Sequence, residues 1–409
     1  MHQDPERLKP ATRVIHAHQH PEPVTGAVMP PIFTSSTYAQ ESPGVHKGFE
    51  YSRSHNPTRY ALERMVGALE GSPITEEQDP SCGGFAFSSG LAAMATALEL
   101  LDAGSHVISM DDVYGGTNRQ FSRVRARSQG LKVSYVDLTN LAAFEAAMKP
   151  ETGMVWVETP TNPTLKLVDL AAVARIAKRI NPNVILVCDN TFVSPINQRP
   201  LDHGFDMVLH SCTKYLNGHS DVVAGVLAVR DLALAQRVRF LQNAIGSVLG
   251  PFDSYLVLRG IKTLDVRMQR HNESGMKVAK YLEQHVAVER VVYPALASHP
   301  QHAIYKKQMG GASGMITFFI KGGLDEARRF LETVKVFALA ESLGGVESLV
   351  DHPAIMTHAS VPPKMREELG ISDSLIRLSV GIEDLQDILD DLERALKAAV
   401  PGAAVGAGR

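Results

Sequence analysis

From Phe85 onward, short runs of β-branched and apolar residues alternate with Ala-rich segments whose apolar positions recur at helical spacing. The runs at 106–109, 132–136, 154–158, 184–189, 207–210 and 223–228 read as strands. Several are almost wholly apolar, as strands buried on both faces must be. Segments 91–101, 140–148 and 170–180 read as helices crossing between parallel strands. The pattern predicts an α/β fold with a large, doubly wound, mostly parallel sheet. Ahead of it, a helix is expected over 58–70 with Gly71 as its C-cap, followed by a polar surface loop over 71–84.

After Pro251 the texture changes. Residues 255–285 read as one long helical region with an apolar stripe, a link between two domains. Beyond it, strands at 314–320 and 375–379 and helices at 324–333 and 384–398 describe a smaller α+β unit. The first sixty or so residues are rich in Pro, His and hydroxyls, lack sustained periodicity, and read as an extended arm with a short opening helix. These shifts divide the chain into an arm (1–60), a large domain (61–262), a small C-terminal domain (263–399) and a frayed, small-residue tail (400–409).

Composition narrows the class of function. The chain has 409 residues, 44% of them hydrophobic, and room for more than one core. A formal net charge of -3 offers no basic field, so nucleic acid is not an expected partner. Cys82, Cys188 and Cys212 are too scattered for a disulfide framework, no apolar run approaches the roughly 18 residues of a membrane helix, and the start lacks signal-peptide chemistry. A cytoplasmic location with no membrane association is expected. His16, His18 and His20 alternate in a polar stretch with no cysteine or carboxylate frame, so no metal site is expected there.

The chemistry gathers around HSCTKYLNGHSDVVAG, residues 210–225, where Lys214 follows two hydroxyls and precedes a small-residue run. Most lysines are surface charges, so a cofactor-carrying reading needs partners. Four motifs lie at expected strand ends, where open α/β sheets place ligands. In FSSGLAAM, Ser88, Ser89 and Gly90 precede a helix start, an anion site or a plain serine cap. VILVCDN ends in Asp189, a carboxylate suited to a protonated ring nitrogen, or to a helix cap or ion pair. ETPTNP holds Asn162 between prolines, a ligand or a turn. DDVYGGT puts Tyr114 before two glycines, where a ring could stack on a heterocycle and a phenol move a proton, or simply pack in the core. Together these are the parts that pyridoxal phosphate needs.

With YSRSHNPTR and ESLGGVESL added, the motifs make the chain from about Thr12 to about Lys397 resemble the Cys/Met-metabolism family of pyridoxal-phosphate enzymes, which includes the cystathionine γ-lyases, γ-synthases and β-lyases and the methionine γ-lyases. The resemblance implies an aspartate-aminotransferase-like fold (fold type I) in a homotetramer with pyridoxal 5'-phosphate as cofactor. It implies that Lys214 forms the Schiff base, with Ser211 and Thr213 near the phosphate or the lysine, and that Gly90 and Leu91 offer backbone N–H groups to the phosphate. Asp189 would pair with the ring nitrogen, Asn162 steady the ring oxygen, and Tyr114 stack on the ring and act as acid or base. Tyr51 and Arg53, two apart on an extended arm, would reach a neighbouring subunit's phosphate. Arg377, beside Ser342, would clamp the substrate α-carboxylate.

Within the family, Glu341 resembles γ-lyases and γ-synthases, Glu50 and Arg119 match positions serving the far end of cystathionine, and Gly116 stands where methionine γ-lyases usually have cysteine. The expected reaction is γ-elimination on L-cystathionine to L-cysteine, 2-oxobutyrate and ammonia. γ-Replacement on an O-acylhomoserine is the alternative, ahead of methionine γ-lyase and cystathionine β-lyase chemistry. His55, His210 and Cys212 depart from the family's usual residues without removing a needed group. A non-enzymatic α/β binding protein is the rival from another class. A nicotinamide dehydrogenase is disfavoured because no GxGxxG follows an expected strand.

Overall fold

The structure, a computed structural model, describes residues 8–359 and 363–401. Most of the tail expected to fray lies outside the described residues. A seven-stranded sheet is built from β1 (Gly84–Phe87), β2 (His106–Met110), β3 (Lys132–Val136), β4 (Thr152–Glu158), β5 (Ile185–Asp189), β6 (Met207–Ser211) and β7 (Gly225–Val229), in the order β1-β7-β6-β5-β4-β2-β3. Neighbours from β6 to β3 are parallel, and only β7 runs against both of its neighbours. The mostly parallel α/β sheet is as expected. Leu186, Val187 and Cys188 of β5 are fully buried, each apolar side chain contributing about 1.5–3 kcal/mol. A slip of one residue would turn every side chain to the other face, so this packing is also what aims Asp189.

A second sheet has the order β10-β11-β12-β9-β8, built from β8 (Val288–Val292), β9 (Met315–Ile320), β10 (Ala338–Leu339), β11 (Leu349–Asp351) and β12 (Leu375–Ser379). Its core includes Phe318, Phe330, Ile376, Leu378 and Leu392. Helix Pro57–Glu70 shows why local sequence sets its ends. Asn56 accepts the N–H groups of Thr58 and Arg59 at 3.0 and 3.1 Å, proline fills the first position, and Gly71 closes the helix at φ 76°.

Two expectations are corrected. The long helical region is two helices, Pro251–Ile261 and Leu264–Gln284. Arg267 closes the break by donating from its guanidinium to the carbonyls of Gly260 and Tyr215, at 2.8 and 2.7 Å. The arm is not extended at 51–54. The N–H groups of Ser54 and His55 both donate to the Tyr51 carbonyl, at 3.0 and 2.9 Å, and close a turn. No helix among the described residues is long and apolar enough to cross a membrane.

Candidate active site

The C-terminal ends of β4, β5 and β6, the start of helix Gly90–Leu98 and the loop before β11 enclose a cavity of about 400 Å³. Lys214 projects into it just beyond β6, and its ammonium donates to the Ser342 hydroxyl at 2.6 Å. Burial and the nearby Arg377 guanidinium pull its pKa down to about 8, against the opposing pull of Asp351 and Glu341. An amine so placed can gain or lose a proton near neutral pH, which a surface lysine cannot.

Asp189 ends β5 on the cavity floor. Its Oδ1 accepts the Thr191 N–H at 3.1 Å and the Thr191 hydroxyl at 2.6 Å. Burial pushes its pKa up in spite of these bonds and of His210. Glu158, its register partner on β4, is raised well above the ordinary carboxylate range by burial and by Asp189. It also accepts the Tyr114 N–H at 2.9 Å. The floor therefore holds two adjacent carboxyl groups short of a cation, and a protonated ring nitrogen would supply one.

The helix N-terminus beside them is walled by small residues. Ser89 caps the helix, accepting the Ala92 N–H at 3.0 Å, and lines the cavity as well. A Cβ on Gly225 would fall 2.2 Å from the Ser89 carbonyl oxygen, so only glycine lets β7 pass so close. Gly90, Leu91, Ser211 and Thr213 complete this end of the cavity. Free helix N–H groups, hydroxyls and a neighbouring lysine suit a phosphate. An aldehyde-reactive amine, a phosphate cradle and a floor lacking a cation together fit pyridoxal phosphate.

Across the cavity, Arg377 of β12 donates from Nη1 to Asn162 Oδ1 at 2.8 Å and from Nη2 to the Ser342 carbonyl at 3.0 Å and to Asp351. Ser342, at φ 102°, is a non-glycine residue in left-handed backbone, and its carbonyl and hydroxyl thereby serve Arg377 and Lys214 together. Tyr114 stands at the mouth, 43% exposed, with its ring folded over Gly116 so closely that a Cβ there would lie 2.4 Å from Cε1. Glu341 also lines the cavity.

Five candidates from the sequence are not brought to this cavity: Glu50, Tyr51, Arg53, Ser88 and Arg119 are all exposed and line no part of it. Arg53 lies over the Tyr51 ring at 5.6 Å and donates to the Asn243 carbonyl at 2.8 Å. His55 rests against Tyr60, and His210 pairs with Glu70 in the interior. Among the described residues no cluster of potential metal ligands occurs. Sequence reasoning missed Glu158, Thr191 and Asp351. Glu158 ends an apolar strand just as Asp189 does, and Thr191 stands two residues after Asp189, a spacing at which Asp commonly accepts from the backbone. Asp351 carries no such local signal.

A family model described as Cys/Met metabolism PLP-dependent enzyme matches residues 11–397. The cystathionine β-lyase of Coxiella burnetii is 58% identical over 386 residues, covering 94% of this chain and 97% of that protein. The cystathionine γ-lyase of Sus scrofa is 55% identical over 392 residues, covering 96% and 94%. The crystal structure of cystathionine γ-lyase from Lactobacillus plantarum complexed with L-serine superposes with a TM-score of 0.91 at 43% identity, covering 96% of this chain and 99% of that one.

Proposed function

The chain belongs to the PLP-dependent enzymes of Cys/Met metabolism, and from that premise we propose that it cleaves L-cystathionine on the γ side, with water, to L-cysteine, 2-oxobutyrate and ammonia. The observation that carries the choice of side is Glu341, a carboxylate on the cavity wall beside Ser342 and close enough to Lys214 to act on its charge. A glutamate at that position resembles the γ-lyases and γ-synthases of the family.

When bound, pyridoxal phosphate supplies an electron sink for the carbanion at substrate Cα. Lys214 would hold it, Asp189 with Thr191 would face its ring nitrogen, Asn162 its ring oxygen, and Gly90, Leu91, Ser211 and Thr213 its phosphate. Arg377 would bind the substrate α-carboxylate and fix Cα near the Lys214 amine. That amine, with a pKa near 8, removes and returns protons at Cα and Cβ. Tyr114, at the cavity mouth, would hand a proton to the departing sulfur. Tyr51 and Arg53 would serve the phosphate of a neighbouring subunit, and Glu50 and Arg119 the far end of the substrate, in a homotetramer with shared sites. The exposed side chains of Phe240 and Ile245, on helix Leu232–Ile245, and of Phe252 just beyond it support such an assembly, since large apolar groups left in solvent favour a protein partner.

A second reading, β-elimination, is favoured by the similarity to the Coxiella burnetii protein. Supplying L-cystathionine alone and identifying the products separates the readings. Cysteine with 2-oxobutyrate supports γ-elimination, whereas homocysteine with pyruvate replaces it by β-elimination. Turnover only with an O-acylhomoserine plus cysteine replaces both by γ-replacement.

A further inference from the structure

Asp351 lies behind the carboxylate clamp. It is the last residue of β11 and the register partner of Arg377 on β12, and the two side chains are 1% and 3% exposed. A guanidinium has five N–H donors. Three hydrogen bonds already draw on them, one from Nη1 to Asn162 and two from Nη2 to Ser342 and Asp351. Both Nη2 hydrogens are therefore engaged. A carboxylate that grips the Nη1–Nη2 edge or the Nε–Nη2 edge with both oxygens must take a share of Nη2 from Asp351 or from the Ser342 carbonyl. The carbonyl is neutral and belongs to the backbone turn that also holds Lys214. Asp351 is charged when ionised, and its other oxygen, Oδ1, is buried with no hydrogen-bond partner.

We propose that Asp351 is an internal competitor for the clamp: it occupies Arg377 in the free enzyme and takes up a proton when a substrate carboxylate docks. Recognition of the α-carboxylate is then coupled to proton uptake. This inference rests on the reading of Arg377 as the clamp. The physical basis is that two carboxylates facing one buried guanidinium repel each other, and the one that cannot leave becomes protonated. Burial already holds Asp351 at a pKa of about 6 despite Arg377. The charged and titratable groups around it are Arg377 from β12, Glu341 from the loop before β11, His352 beside it in the chain and Lys214 from beyond β6. Farther along, His358 faces Arg377 and donates to the Asn162 carbonyl at 3.1 Å. Of these, Glu341 raises Asp351 further, and no second cation is bonded to it among the described residues.

A docked carboxylate lifts the Asp351 pKa above its free value. Ligand affinity then rises as pH falls through the lifted pKa and levels off below about 6, the free value. Between those limits the dissociation constant grows by up to about tenfold per pH unit, the slope of one linked proton. The probe is 4-(methylthio)butanoate, which carries the carboxylate and thioether but has no amine to react with the cofactor. Titrating it into the holoenzyme at pH 7.5, in buffers of different ionisation heat, should register uptake of most of one proton. The visible spectrum of the bound cofactor, which reports the proton on the lysine nitrogen, should stay unchanged. In Asp351→Asn the uptake should vanish and binding at pH 8 should tighten about tenfold, the effect of removing a like charge.

No uptake by the wild type overturns the inference, as does uptake matched by a spectral change, or uptake that persists in Asp351→Asn. If the variant does not fold, the wild-type uptake and spectrum still decide. Arg377→Ala separates the layers. Loss of probe binding there, with no proton taken up by the wild type, sinks the Asp351 inference alone, whereas binding as tight as wild type sinks the clamp itself.

Discussion

The cavity floor and the arm are both ordered, but in opposite ways. On the floor, Lys214, Asp189 and Glu158 sit at strand ends whose packing leaves no freedom, and each already bonds to a neighbour in the same subunit. On the arm it is the backbone that is tied down. Asn56 donates to the Phe33 carbonyl at 2.8 Å, Thr58 to that of Pro31 at 2.7 Å and Arg59 to that of Ser52 at 2.8 Å. Tyr51, by contrast, leaves 45% of its surface in solvent, and Glu50 and Arg53 are exposed as well. Fixing a backbone while leaving side chains such as Tyr51 largely in solvent is what pre-organisation for a partner looks like, because the ordering entropy is spent before association. The floor should therefore fail by itself when altered, and the arm only through a second copy.

The largest effect expected is at Lys214. Lys214→Ala should lower turnover by at least about 10³-fold, the upper part of the range for a positioned acid–base group, and should abolish the borohydride-reducible adduct with the cofactor. An adduct of unchanged yield would remove Lys214 from its role. Next comes Asp189→Asn, which keeps the shape and the Thr191 contacts but loses the charge. A hydrogen bond to a charged group is worth about 1.5–3 kcal/mol, so the cofactor should be held about 10- to 100-fold more weakly. Equilibrium dialysis measures this directly, and affinity equal to the wild type would mean that the floor is not short of a cation.

How much of each region was legible follows from what holds it. Strands β3 and β12 and helices Leu170–Ile180 and Leu324–Thr333 fall where the hydrophobic pattern puts them, because their packing is local and periodic. Asp189 and Lys214 were visible because each interrupts or follows an apolar run. β1 was not, since GFAF is short and gains its identity from pairing with the distant β7. The break after Ile261 carries no proline or glycine at the break itself, and depends on Arg267 reaching Tyr215 and Gly260. Asp351 was invisible for the same kind of reason, since only the register of β11 on β12 sets it against Arg377. The turn at Tyr51 is not legible in the sequence because two backbone N–H groups, which no side-chain pattern reports, converge on one carbonyl.

The arm is tested by mixing subunits. Arg53→Ala should weaken cofactor retention by about tenfold, one charge-assisted bond at the lower end of its range. Hybrids of Tyr51→Phe with Lys214→Ala subunits should regain activity, because one of the two sites in each mixed pair then has an intact lysine and an intact partner tyrosine. Well-formed hybrids with no activity would return Tyr51 to its own subunit.

The smallest effect sharpens the contrast most. Tyr51 makes no side-chain hydrogen bond among the described residues, the guanidinium of Arg53 lies over its ring, and 45% of its surface is in solvent. Exposed substitutions of this kind stay within about 0.5 kcal/mol, so Tyr51→Phe should unfold with a midpoint close to wild type. It should nonetheless hold cofactor less tightly, provided the partner's phosphate is where its hydroxyl belongs. A loss of stability well beyond that limit, with cofactor affinity intact, would make Tyr51 a structural residue of the arm. A loss of affinity at constant stability would mark Tyr51 as a cofactor contact, and the mixed-subunit hybrids then assign that contact to the neighbouring subunit.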